Sequence, residues 1–363
     1  MKLQDVVNRI GIKPNENNKS LNTYIQNNIQ NKERLDNFLS ALNNIPESLQ
    51  TAGITDIKEL YNYIYKGLDG LEYTVSDINK VANSPIYFGT GYDTGNKRIF
   101  GLALSALINK VAKKGDKVQL NISKPMDHLF YLADGIEAHV NIAGDYLGDS
   151  AKNSKIYAEK AEYAAGVSMN KCELHVNEAG NYLGEFADNS KIYAEKAEYA
   201  AGHYMDNCEL HVRLAGENLG DSAKNSKIYA DKAGLQAGAR VDNCELHINE
   251  AGEQLGFYAK NSKIYVEKSV GWAGHNIDNC ELHINEAGDD LGANANNSII
   301  YANETGYNTG VDMKNSKLHI KKLNGDLANS CFKGNNEIYL GKESYKLHPI
   351  KYKLKRVNIW ETP

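Results

Sequence analysis

The stretch AGDYLGDSAKNSKIYAEK (143–160) is followed without a gap by AEYAAGVSMNKCELHVNE (161–178), and eight further copies of the same eighteen-residue pattern run on to Lys322. In each copy the twelfth to seventeenth positions (SKIYAE, CELHVN) alternate small or apolar with polar residues, the period of a half-buried strand. A unit this short cannot bury its own apolar face, so copies must stack. Like stacked on like predicts a mainly β protein, a right-handed parallel β-helix (solenoid) of eighteen-residue coils. Glycine holds the sixth position in every copy, from Gly148 to Gly310, and marks a corner that needs positive φ or close approach of coils. Asparagine holds the eleventh, Lys171 alone departing, and suits a second corner because it tolerates the left-handed region. No proline interrupts the chain between Pro125 and Pro349, as strands that donate hydrogen bonds on both sides require.

The true period is two coils. Leu147 with Ala151 alternates with Ala165 and Met169, and Ile156 with Ala158 alternates with Leu174 and Val176, so large residues pack over small ones at constant volume. Outside, Lys155, Glu173, Lys191 and Glu209 succeed one another at the thirteenth position. Unlike charges then face each other about 4.8 Å apart.

Around this core the 363-residue chain divides into a helical N-terminal domain (1–83), a linker and capping helix (84–115), the β-helix (116–342) and a basic C-terminal cap or tail (343–363). Leu21, Ile25, Ile29, Leu35, Phe38, Leu39 and Leu42 recur at helical spacing in the first segment. Asn83 to Lys97, with Gly89, Gly91 and Gly95, reads as linker, and its glycine spacing misses the dinucleotide fingerprint by one residue. The run from Ile99 to Ala112 is apolar enough to plug one end of the stack. Lys346, Lys351, Lys353, Lys355 and Arg356 make the tail basic. A net charge of −5 without a basic block argues against nucleic acid, and no apolar run is long enough to span a bilayer; a cytoplasmic protein is expected.

The segment entering the repeats carries Arg98, Gly101, Leu104 and Ser105 in an R-x-x-G-x-x-L-S pattern before the strand-like KVQLNIS (117–123). Together with the spaced glycines, this resembles the glycine-repeat β-helix family found in glutamate synthase, as the C-terminal domain of its large chain, and in formylmethanofuran dehydrogenase, as one of its component chains. The likeness covers roughly residues 95 to 340, although Asn-Ser or Asn-Cys replaces the family's late glycine pair. It implies the fold and a structural role within a larger, redox assembly, without the amidotransferase, flavin or iron–sulfur segments.

Candidate chemistry follows from the stacking. His139, His175, His211, His247, His283 and His319 are periodic, but tyrosine coils intervene, placing neighbouring histidines about 9.6 Å apart, too far to share a metal. They are expected to form an exposed, alternating His/Tyr ladder stabilised by stacking. Cys172, Cys208, Cys244 and Cys280 have the same spacing, beyond disulfide reach, and read as buried thiols. No catalytic set, metal site or cofactor is expected. The residues that break the repeat are Phe186, His203, Tyr204, Phe257, Tyr258, Trp272 and His275, flanked by Tyr146, Tyr163, Tyr182 and Tyr199. They read either as a solvated turn with scattered aromatics or as a contact face for a protein partner, a second copy or a glycan. A non-catalytic scaffold or protein-interaction module is the expected function. A carbohydrate-active β-helix enzyme or glycan-binding protein is the alternative, and it would need carboxylates converging in a cleft away from lysine partners.

Overall fold

The computed structural model describes residues 36–38, 40–42, 44–46, 57–82 and 94–341. Helices α1 (Ile57–Gly67), α2 (Val75–Ala82) and α3 (Thr94–Val111) precede thirteen strands that run from β1 (Lys117–Leu120) and β2 (Glu137–Ala143), through β3 (Lys155–Ala161) and β4 (Glu173–Ala179), to β13 (Glu337–Leu340). These strands form one parallel sheet in sequence order, each paired with the next. The protein is therefore a parallel β-solenoid with coils of about eighteen residues.

Register follows the repeat. Lys155 pairs with Glu173, Ile156 with Leu174, Tyr157 with His175 and Ala158 with Val176, and the same pairing continues coil after coil. Ile156, Leu174, Ile192 and Leu210 are fully buried, while Lys155 and Lys191 are exposed. A one-residue slip would exchange these two sets, so burial of the Ile/Leu column holds the register.

The far side of each coil has no regular strand, yet its backbone is still hydrogen-bonded. Tyr146 donates its N–H to the carbonyl of Tyr163 in the next coil at 2.7 Å, Gly148 donates to Leu129 in the previous coil at 2.8 Å, and Ser150 donates forward to Val167 at 2.9 Å. The alternation requires positive φ at the fourth, sixth, eighth and eleventh positions, as at Tyr146, Gly148, Ser150 and Asn153. The corners anticipated at glycine and asparagine are present. The two further left-handed positions carry no glycine and were not legible in the sequence. At the sixth position a side chain is also excluded by space, since a Cβ on Gly184 would strike Cδ1 of Ile192.

α3 covers the first coils. Leu102, Ala103, Ala106, Leu107 and Ile108 are all at most 1% exposed, as a plug requires. Gly101 lies against the Asp127 carbonyl, where a Cβ would collide, and Ser105 Oγ donates to His128 O at 2.7 Å and accepts Tyr131 N–H at 3.2 Å. The helix starts at Thr94, so Gly95 and Lys97, read as linker, belong to it. α1 joins α3 through Asn109, which donates to Tyr61 Oη at 2.8 Å, and α2 meets the chain just after β1 through Asn79, whose Oδ1 accepts Asn121 N–H at 3.1 Å. At the other end a short 3-10 helix, Asn329–Phe332, buries Cys331 over Gly310. The helical pattern expected over Leu21 to Leu35 and the basic tail from Lys346 lie outside the described residues. Among the described residues no helix is long and apolar enough to cross a membrane.

Candidate binding face

The fourth, seventh and eighth positions of successive coils form one lengthwise strip on the turn side, and the aromatics that break the repeat fall on it. Phe186 and Tyr204 stack in parallel at 5.4 Å, and His203 lies against Tyr204 at 4.1 Å. A second group joins Phe257 to Tyr258 at 4.4 Å, Phe257 to His275 at 5.2 Å and Trp272 to His275 at 5.1 Å. Phe186, Tyr204, Tyr258 and Trp272 are exposed by 51%, 50%, 48% and 40%. All four have positive φ, from 53° to 58°. Phe186, Tyr204 and Tyr258 stand at the eighth position, where other coils place Ser150, Ser168, Ser222 or Asn294, whereas Trp272 stands at the fourth, where other coils place Tyr146, Ala164, Tyr182 or Gln236. Bulky rings in the left-handed region cost more than serine or asparagine there, and such strain concentrates where a surface is used.

Between the two groups the strip is polar. Gln236 donates to Gln254 Oε1 at 2.6 Å, Arg240 pairs with Asp221, and Arg240 Nε donates to Ser222 Oγ at 3.3 Å. His203 sits between two carboxylates, with Nδ1 3.1 Å from Glu185 and Nε2 3.7 Å from Asp221. The Glu185 contact fixes the ring of His203 beside Tyr204. The flanking tyrosines zigzag along the strip: Tyr146 to Tyr163 at 5.6 Å, Tyr163 to Tyr182 at 5.3 Å and Tyr182 to Tyr199 at 5.6 Å.

One group of three carboxylates does converge. Oxygens of Asp127, Asp145 and Glu162 lie within 4.8 Å of one another. Lys97 from α3 sits among them, 3.4 Å from Asp127 and 3.1 Å from Glu162. Burial pushes the Asp127 carboxyl pKa up, against the pull of the Asp145 N–H and Lys97. Asp127 Oδ1 accepts Asp145 N–H, and Asp145 Oδ1 in turn accepts Tyr163 N–H, so these side chains tie one coil to the next. The convergence was not legible in the sequence because Asp127 lies in a degenerate coil and Lys97 comes from the capping helix. Beside it, a cleft of about 390 Å³ opens where Gly180 falls between Glu162 and Glu198, with Tyr163, Glu178 and Asn181 in its lining.

The two periodic sets take their expected places. His139, Tyr157, His175 and Tyr193 begin a column of stacked rings that continues to Tyr339, with neighbouring centroids 4.5–5.1 Å apart. Each of the first five histidines holds Nε2 2.6–2.7 Å from the glutamate two residues before it. A carboxylate only accepts, so Nε2 carries the proton. The column is more buried than a surface ladder: His139 and His211 are 8% and 9% exposed. Cys172, Cys208, Cys244 and Cys280 are buried free thiols. They are more than small apolar fillers, because Cys208 Sγ donates to Asp206 O at 3.1 Å and accepts Ser190 N–H at 3.4 Å.

No family model, curated protein or solved structure matches the chain. The fold class, a parallel β-solenoid, rests on the strand order and register themselves.

Proposed function

We propose that the protein is a rigid, non-catalytic scaffold that docks a partner along its turn-side strip. The observation that carries this is the placement of Phe186, Tyr204 and Tyr258, large exposed rings at positive φ in the eighth position, where most coils use serine, asparagine or aspartate, with exposed Trp272 at the fourth position of the coil after Tyr258. The coil-to-coil hydrogen bonds behind the strip supply rigidity, so ordering the surface on binding costs little. The resemblance to the glycine-repeat domains of glutamate synthase and formylmethanofuran dehydrogenase supports a structural role: Arg98, Gly101, Leu104 and Ser105 lie on the capping helix, and Gly101 and Ser105 contact the first coil. A reducing, cytoplasmic compartment fits the free thiols.

A carbohydrate-active enzyme is the weaker reading. Its best site is the Asp127, Asp145 and Glu162 group, where Lys97 pairs with Asp127 and Glu162 and backbone amides occupy Asp127 and Asp145. The scaffold reading is tested by recovery of partners from native extract with the protein and with Tyr204→Ala and Trp272→Ala. Loss of specific partners on substitution is expected. Recovery unchanged by both substitutions would contradict it.

A further inference from the structure

We infer that the turn-side strip binds a linear neutral oligosaccharide; the inference rests on the docking role of that strip and names its occupant. Hot spots for protein partners cluster at the centre of an interface, in apolar pockets ringed by polar residues. Here the order is reversed. Rings stand on either side, Phe186 with Tyr204 on one and Tyr258 with Trp272 on the other, and the two coils between them carry Gln236 and the Arg240–Asp221 pair.

A pyranose chain is complementary to that layout. Each sugar presents apolar C–H faces, which stack on exposed rings, and a rim of hydroxyls, which both donate to and accept from amides, carboxylate and guanidinium. The groups lie in line along the solenoid axis. Phe186 and Trp272 are five coils apart, a span of about 24 Å at the strand spacing, which suits an extended polymer better than a compact ligand. The ion pair Arg240–Asp221 leaves the middle without net charge, which favours a neutral chain over an anionic one.

The test is tryptophan emission in a Trp360→Phe background, where Trp272 is the sole reporter, during titration with cellohexaose, xylohexaose, chitohexaose and maltohexaose. Saturable change with at least one sugar is expected, and Tyr204→Ala should weaken it about tenfold, the effect of one lost stacking platform. Tyr229→Ala, in the strand Lys227–Ala233 away from the turn-side strip, should leave it unaltered. No saturable response to any of the four sugars overturns the inference. If Trp272→Ala and Tyr204→Ala then still abolish capture of a protein partner, the docking role survives and only its occupant is wrong. If neither sugar nor protein binding depends on these residues, both fall.

Discussion

The backbone N–H of Cys172 donates to Oγ of Ser190, its counterpart one coil later, at 3.0 Å. The same bond recurs from Cys208 to Ser226 and from Cys244 to Ser262, while serine amides donate to cysteine sulfur in the alternate steps. The twelfth-position side chain thus satisfies a buried amide of the coil beneath it. Ser190→Ala removes the acceptor and should lower unfolding free energy by about 1–3 kcal/mol, whereas Ser190→Cys should cost less because sulfur accepts at the same position elsewhere. Urea midpoints at unchanged slope would measure both. Equal losses for the two variants would contradict this role.

The thiols should be inert in the native protein. Burial pushes the Cys208, Cys244 and Cys280 thiols up to about 11, far from the thiolate form at neutral pH. Reaction with a disulfide reagent at pH 8 should proceed only as fast as the protein opens. A rapid stoichiometric phase from any of these three would show an exposed thiolate.

Gly184 tests the turn. Ala at this position must adopt a φ near 68° with its Cβ against Ile192 Cδ1. The left-handed conformation alone costs about 1–2 kcal/mol, and displacement of Ile192 adds to it. Gly184→Ala combined with Ile192→Val should recover part of the loss through added space. No recovery in the double variant would assign the whole cost to the backbone.

Acid should destabilise the protein in two stages. Burial lowers the pKa of His139 and of His211, the glutamate bond only partly opposing it. The unfolded chain therefore takes up protons first, so stability is full above the ordinary histidine value of about 6.5 and falls as pH drops below it. Glu137 and Glu245 are held below the ordinary carboxylate value first by their histidine hydrogen bonds, so their contribution is lost at still lower pH, through their folded values. Urea midpoints should be level from pH 8 to about 6.5 and fall from there to pH 4, and His211→Gln should flatten the first part of that fall. A midpoint that rises on acidification from pH 7 to 5 would contradict the assignment.

The sheet was readable because its information is repeated. Lys155, Glu173 and Lys191 alternate where the strands place them in register, and Ile156 and Leu174 occupy the core column the period assigned to them. The turn was only half readable. Gly148 and Asn153 announce their conformations, but Tyr146 and Ser150 adopt positive φ because inter-coil hydrogen bonds require it, a tertiary demand that no local propensity reveals. The aromatic strip was visible as a set of exceptions, and its members do lie on one side. Its charged centre was not, since Arg240 and Asp221 meet only when adjacent coils are stacked. The carboxylate group at Lys97 was hidden because Asp127 lies in a degenerate coil and its lysine comes from α3.

Successive coils stack in vertical register with a two-coil period, and excision of whole coils probes that arrangement. Removing residues 215–250, two whole coils, preserves every Lys/Glu and His/Tyr alternation across the new junction, and the shortened protein should unfold cooperatively with an unchanged far-ultraviolet spectrum. Removing only residues 215–232 brings His211 over His247 and Glu209 over Glu245, and should give a folded but clearly less stable protein. Should the two-coil excision be as damaging as the one-coil excision, the columns described here would not be what holds the molecule together.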